Sequence, residues 1–235
     1  MKHHHIPRGG RTLILGIACL GLHGQASAQN EVIPRGTLNV DRTLVRVDTR
    51  SQLGWSIQYP TVVTDLVSVT TTGTIIPKST MKMKVRTLGV AFQSGSTLLP
   101  LEGSWAKNNG TFTRFFYGTG KQVDPTKIIV NQTVNLNDRI DFAGRGWSGS
   151  SWYPLHDTRK ADRYVIVLKN GDRAPDYAPA YNQSTVKGFL TSYIDGMGRI
   201  KIGPRDLIIL WEASTASPGS TYFDMQDLVV LVTFE

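Results

Sequence analysis

Apolar residues along this chain fall in short runs broken by turn residues, and long helical periods are scarce. Trp55-Ser56-Ile57-Gln58-Tyr59 alternates with period two, and Pro60 stops it. Met81–Val90 alternates with Lys82, Lys84 and Arg86 on the opposite face, the pattern of a half-solvated antiparallel strand. Leu38–Val47, the Val/Thr-rich Thr61–Ile76 with its turn at Thr72-Gly73, Ile128–Val130, Val134–Leu136 and Tyr164–Leu168 read as further strands. Between Phe92 and Tyr117 an aromatic-rich segment folds about Asn108-Asn109-Gly110, a hairpin signal. Near the C-terminus, Leu207–Trp211 and Leu228–Phe234 are apolar on consecutive positions and too short for ordinary helices, so both predict buried strands. The one helical period lies near 184–194, with Ser184 as N-cap, an apolar face from Val186 to Ile194 and Gly196 beyond it.

These elements predict a mainly β protein: an antiparallel β-sandwich of Ig-like or jelly-roll-like kind, with roughly nine to twelve strands and one short helix. Residues 29–235 read as one β-sandwich-like unit, within which 37–120 could form an Ig-like subdomain and 121–235 a second; the lack of a clear linker favours continuity.

Acids gather at the ends of the last two strands: Asp206, Glu212, Asp224 and Asp227. If those strands are neighbours, Glu212, Asp224 and Asp227 converge at one end of a sheet. Hard oxygen ligands on adjacent loops suit Ca²⁺; the plainer alternative is that they cap turns or pair with Lys201 and Arg205. The cofactor expectation is therefore none, or Ca²⁺ at this corner. A second acidic segment, Asp195–Asp206, hints at a calcium loop. Met197 and Arg199 stand where oxygen ligands belong, so a turn leading into a strand at Arg199–Ile202 is expected.

The apolar strand ending in Glu212, the Ser/Gly loop, then Phe223-Asp224-Met225-Gln226-Asp227 and a closing aliphatic strand resemble certain uncharacterised secreted bacterial β-domains, which close with Phe-Glu-Asp…Asp-Phe-Asn-Asp-aliphatic. Glu212, Asp224 and Asp227 fall on that signature's acids. Ala213, Met225 and Gln226 depart from it, replacing Asp, Phe and Asn. The resemblance covers about 35 residues. It implies a secreted β-domain with a calcium-linked corner, weakened by the Asp lost at Ala213, and implies no reaction.

The first 28 residues read as an export signal: Lys2, Arg8 and Arg11, an apolar Thr12–Leu22, and Ala26-Ser27-Ala28 before Gln29. Gly16-Ile17-Ala18-Cys19 resembles a lipoprotein box but has Gly where Leu is usual, so the Ala-Ser-Ala site fits better. The expected location is the periplasm, the cell surface or the medium, and no other run is long enough for a transmembrane helix. Cleavage would leave 23 of the 26 basic residues against 18 acids, a net charge of +5 in place of +8. It would also remove the one Cys and His3, His4, His5 and His23. Only His156 would remain, which excludes Cys-based or multi-His zinc sites and a Cys nucleophile.

Phe142–Asp157 is rich in Gly and Ser and carries Arg145, Trp147, Trp152, Tyr153 and His156. It reads as a ligand-binding loop, since flat aromatics suit sugar faces or protein partners; the alternative is a loop that tucks its aromatics onto its own sheet. Gly146-Trp147-Ser148-Gly149-Ser150 lacks the second Gly of a nucleophile elbow. No catalytic set stands out. The lysine/arginine row reads as a solvated strand face without interleaved aromatics, so nucleic acid is not an expected partner. The functional expectation is an exported, non-enzymatic binding or structural surface protein with a glycan or surface protein as partner. The alternative is a carbohydrate-binding module or a polysaccharide-active enzyme using carboxylates among Glu102, Asp141 and Asp157. A scaffold that assembles through its sheet edges is a third class.

Overall fold

The structure, a computed structural model, describes residues 35–40, 53–181 and 183–235 of the chain. The export signal, Cys19 and residues 41–47 of the first expected strand lie outside the described residues. Strands β1 (Arg35–Val40) and β2 (Leu53–Gln58) pair as an antiparallel ribbon. Helix α1 (Val63–Leu66), β3 (Val67–Val69), β4 (Ile75–Pro77), β5 (Met81–Val90), β6 (Gln93–Ser94) and β7 (Thr97–Leu98) follow. Next come β8 (Leu101–Lys107), β9 (Thr113–Gly118), β10 (Val130–Val134), β11 (Ile140–Gly146), β12 (His156–Asp157) and β13 (Val165–Lys169). Helix α2 (Val186–Phe189), β14 (Asp206–Trp211) and β15 (Leu228–Phe234) complete the chain. Five of these fifteen strands have three residues or fewer.

Two antiparallel sheets make the sandwich. One runs β10-β5-β15-β14-β13; the other runs β3-β4-β11-β8-β9, with β12 on the same edge of β11 as β4. Both join strands from either side of residue 120. Between the sheets lies an apolar core in which Met83 and Val85 of β5, Leu207, Ile209 and Trp211 of β14, and Val230, Val232 and Phe234 of β15 meet Ile75, Leu101, Ile140 and Phe142. The other face of the five-stranded sheet is also covered: Ile208, Leu210, Val229 and Leu231 pack against Ala174, Val186, Leu190, Ile200, Ile202, Phe223 and Met225. Burial on both faces is why β14 and β15 are apolar at consecutive positions. Each fully buried aliphatic side chain contributes about 1.5–3 kcal/mol.

Several expectations are corrected in detail. Ile128–Val130 and Val134–Leu136 are the flanks of one strand, β10, with Ile128 and Leu136 exposed beyond it. The helix is a single turn capped by Thr185, whose Oγ1 accepts from Gly188 N at 3.1 Å, and a 3-10 turn at Thr191–Tyr193 follows. Arg199–Ile202 is no strand; isolated bridges Arg173–Arg199 and Ile194–Ile200 hold it. The larger correction concerns residues 140–146, five of the seven read as loop, which form β11 near the centre of the second sheet. Its inward positions after Phe142 are Gly144 and Gly146. A Cβ on Gly144 would stand 3.2 Å from the Trp211 ring, and one on Gly146 would stand 2.3 Å from Phe92. Large rings from elsewhere occupy the space that apolar side chains on β11 would fill, so the strand carries no alternating apolar signal.

Among the described residues no helix is long and apolar enough to cross a membrane.

Candidate functional site

The acids at the ends of β14 and β15 do converge. Trp211 closes β14, and Asp227 N donates to its carbonyl at 3.1 Å, which fixes where β15 begins. Glu212 follows, and its carboxylate ties the loop to itself. Oε1 accepts from Ser214 N at 3.2 Å and from the Ser214 hydroxyl, and Oε2 accepts from Asp224 N at 3.1 Å. Asp227 Oδ2 accepts from Ala213 N at 2.7 Å. Met225 adopts a left-handed φ of 56°, rare for a residue with a side chain, and this bends the chain tightly enough for Gln226 N to reach Asp224 Oδ1 at 3.3 Å. Asp224 Oδ2 accepts from Gln183 Nε2 and Gln226 Nε2, each at 3.2 Å. Asp206 is elsewhere, at the opposite end of β14, bonded to Thr233.

Glu212, Asp224 and Asp227 are 1%, 5% and 6% exposed. Burial, then the charge of Glu212, pushes the Asp224 carboxyl up to about 6, against the donors of Gln226 and Gln183. Asp227 is raised well above the usual carboxylate range by burial and by the charges of Glu212 and Asp224, with the Ala213 N–H opposing. Its carboxyl also hydrogen-bonds that of Glu212, which favours the protonated form. The three carboxylates thus lie at one end of the sheet, each accepting hydrogen bonds from loop N–H groups. Among the described residues no group of three or more His, Cys, Asp or Glu side chains is placed to hold a metal ion.

Beside this corner sits His156, only 6% exposed. Its Nε2 lies 2.8 Å from Ser214 O, its Nδ1 3.1 Å from Asp162 Oδ2, and its ring lies 4.2 Å from that of Tyr164. Both ring nitrogens thus face oxygen atoms. Nε2 meets the Ser214 carbonyl, while the Ser214 hydroxyl is turned to Glu212.

The second cluster lies on the outer face of the six-stranded sheet. Ile140 and Phe142 point into the core, so Arg145 on the same strand points out. Glu102 of β8 stands opposite Arg145 on one side and Tyr117 of β9 on the other. Glu102 accepts from Arg145 Nε at 2.8 Å and pairs with Arg114 Nη1 at 3.4 Å. The Arg145 guanidinium lies 4.7 Å from the Trp152 ring centre, and Arg114 lies 5.3 Å from that of Tyr117. Trp152 meets Trp147 at 5.3 Å, nearly edge-on, and Tyr117 at 6.1 Å. The loop folds back through a bridge between Trp147 and Trp152, held by Ser148 and Ser151.

Of the five loop residues expected to bind, three share this surface: Arg145, Trp147 and Trp152. Tyr153 turns inward against Phe92, 6.0 Å between ring centres. His156 is the buried residue described above, so neither joins the platform. Arg114, Tyr117 and Glu102 were missed as partners because they sit on other strands, and only sheet register brings them alongside.

The carboxylates considered for sugar cleavage are differently placed. Asp141 is fully buried and bonded to Thr74 Oγ1 at 2.6 Å, Thr158 Oγ1 at 3.3 Å and Arg159 Nε at 3.3 Å. Glu102 is clasped by two arginines. Glu102 lies four positions along the sheet from Asp141, about 13 Å at strand spacing, beyond the separation of a glycosidase pair. Asp157 bonds the backbone of Arg159.

No family model, curated protein or solved structure matches the chain, so the functional reading rests on its own geometry.

Proposed function

We propose that this chain is an exported, non-enzymatic binding protein of the periplasm, cell surface or medium. It holds a glycan against the aromatic platform of Trp147, Trp152 and Tyr117. One observation carries this reading: the three rings lie together on the outside of the sheet, Tyr117 is 54% exposed, and none belongs to either apolar core. Flat half-covered rings offer apolar faces to the C–H faces of sugars. Arg145 and Arg114, stacked on Trp152 and Tyr117 and anchored by Glu102, hold the rings in place and supply hydrogen-bond donors.

The test is retention of the protein on immobilised polysaccharides of different composition. A central aromatic anchor is worth at least about 2 kcal/mol, so Trp152→Ala should weaken binding roughly 30-fold and Trp147→Ala/Trp152→Ala should abolish retention. Unchanged retention by a double variant with a native melt rejects the platform. New reducing ends in the incubated polysaccharide would reject the non-enzymatic reading.

A further inference from the structure

The aromatic platform carries more positive than negative charge, and it hides the negative. The Glu102 side chain is 11% exposed, whereas those of Arg114 and Arg145 are 57% and 33% exposed. Two guanidiniums therefore face solvent over a single carboxylate. Asp157, across from Ala143 on β11, is turned instead to the backbone N–H of Arg159 at 2.8 Å. Both platform arginines keep donors for a ligand. Arg145 gives Glu102 its Nε and Arg114 gives it Nη1, so among the described residues each retains terminal N–H groups without a protein acceptor. Arg159, on the same side of β11, makes the contrast. It too stacks on a ring, 4.0 Å from the centre of Phe112, but its Nε donates to Asp141 and its Nη2 to the Gly110 carbonyl. A guanidinium lying against an aromatic ring points its N–H groups outward in its own plane, where a planar acid can meet two of them.

We propose that the platform binds an acidic glycan, one whose sugars carry carboxylates. The sugar rings lie on Trp147, Trp152 and Tyr117, and Arg145 and Arg114 receive the acid groups. This rests on the glycan reading above and narrows it to a substrate class. The two guanidiniums stand 4.7 and 5.3 Å from the ring centres of Trp152 and Tyr117, so an acid borne on the stacked sugar itself comes within their reach. A neutral sugar would leave both forks to water. Glu102 is a positioning residue. It draws the two guanidiniums toward one point from β11 and β9, so that their free N–H groups lie side by side and can take acids from neighbouring sugars of a polymer.

The experiment titrates the purified protein with polygalacturonate, alginate and hyaluronan. Each is paired with its carboxyl-reduced form, in which every acid has become a primary alcohol, and cellulose, xylan and mannan serve as neutral polymers. At least one acidic polymer should bind, and its reduced form should bind at least tenfold more weakly. Raising NaCl to about 0.5 M should remove most of that difference, because exposed charges are screened. Arg114→Gln should weaken the acidic polymer about tenfold, the loss of one charge-assisted hydrogen bond, with a melt near wild type because the side chain is mostly exposed. Trp152→Ala should weaken acidic and reduced polymers alike. Equal binding of an acidic polymer and its reduced form, binding of neutral polymers alone, or wild-type binding by Arg114→Gln/Arg145→Gln overturns the acidic class and leaves the platform standing. Binding of no polymer at all rejects the platform and the acidic class together. If the arginine variants fail to fold, the comparison of acidic and reduced polymers on the wild-type protein decides alone.

Discussion

Asp224→Asn in the cation-free protein should be more stable than wild type at pH 7.5 and no more stable at pH 4. Burial and the Glu212 charge move the Asp224 carboxyl from 3.8 to about 6 on folding. Well below 3.8 it is protonated in folded and unfolded chains alike and contributes nothing. As pH rises from about 4 to 6 the unfolded chain ionises first, so the folded state loses stability, and the loss levels off above 6. About two pH units correspond to about 3 kcal/mol. Asn avoids that cost. It keeps an oxygen for Gln226 N, and its NH₂ would face the side-chain amides of Gln183 and Gln226. Both glutamines can turn over to offer oxygen, and Gln226 Oε1 has no other partner. Allowing about 1 kcal/mol for imperfect repairing leaves a net gain of about 2 kcal/mol. Urea unfolding in EDTA, followed by tryptophan fluorescence at both pH values, reads it directly. A variant weaker than wild type at pH 7.5 in EDTA, or an equal advantage at both pH values, refutes this account.

The β8–β9 turn and the glycine seat of Phe92 give two further tests. Asn108 and Asn109 both have left-handed φ values, 54° and 59°, at the centre of the β8–β9 turn. Asn109→Ala should therefore cost about 1 kcal/mol in thermal unfolding, and Asn109→Gly should not. Gly146→Ala would place a methyl 2.3 Å from the Phe92 ring. It should cost about 1–3 kcal/mol and alter the near-UV signal of the Phe92–Tyr153 pair, and an unchanged spectrum would show that the ring has room to move.

The sandwich was legible wherever a strand's own side chains fill its share of the core. β5, β14 and β15 could be read almost to the residue, since period-two burial or burial on both faces is written into Met83, Val85, Ile208, Ile209, Val229 and Val230. β11 was not, because Trp211 and Phe92 fill the space above Gly144 and Gly146, leaving a strand that looks like loop. The acidic corner was legible because β14 and β15 are sequential and pair directly, so their joined ends had to be near one another. Gln226 was overlooked as a partner of Asp224, since only its burial against that carboxylate reveals the contact. The aromatic platform was half legible: Trp147 and Trp152 are close in sequence, whereas Tyr117 and Arg114 arrive through the register of β9 on β8.

The pairing of β5 with β15 bears on how the chain folds. Val90 meets Leu228 and Met83 meets Phe234, so the middle of the five-stranded sheet joins segments far apart in sequence. Such non-local closure is slow, and β5 must wait with one edge open while much of the chain finds its place. An open edge bearing Met81, Met83 and Val85 is the kind of surface on which two unfinished molecules stick together. Lys82, Lys84 and Arg86 alternate with those residues along the same strand. Two molecules that paired there would bring like charges face to face. The basic row thus guards the folding chain against its own copies until β15 arrives, when Glu235 takes Lys84 as its partner.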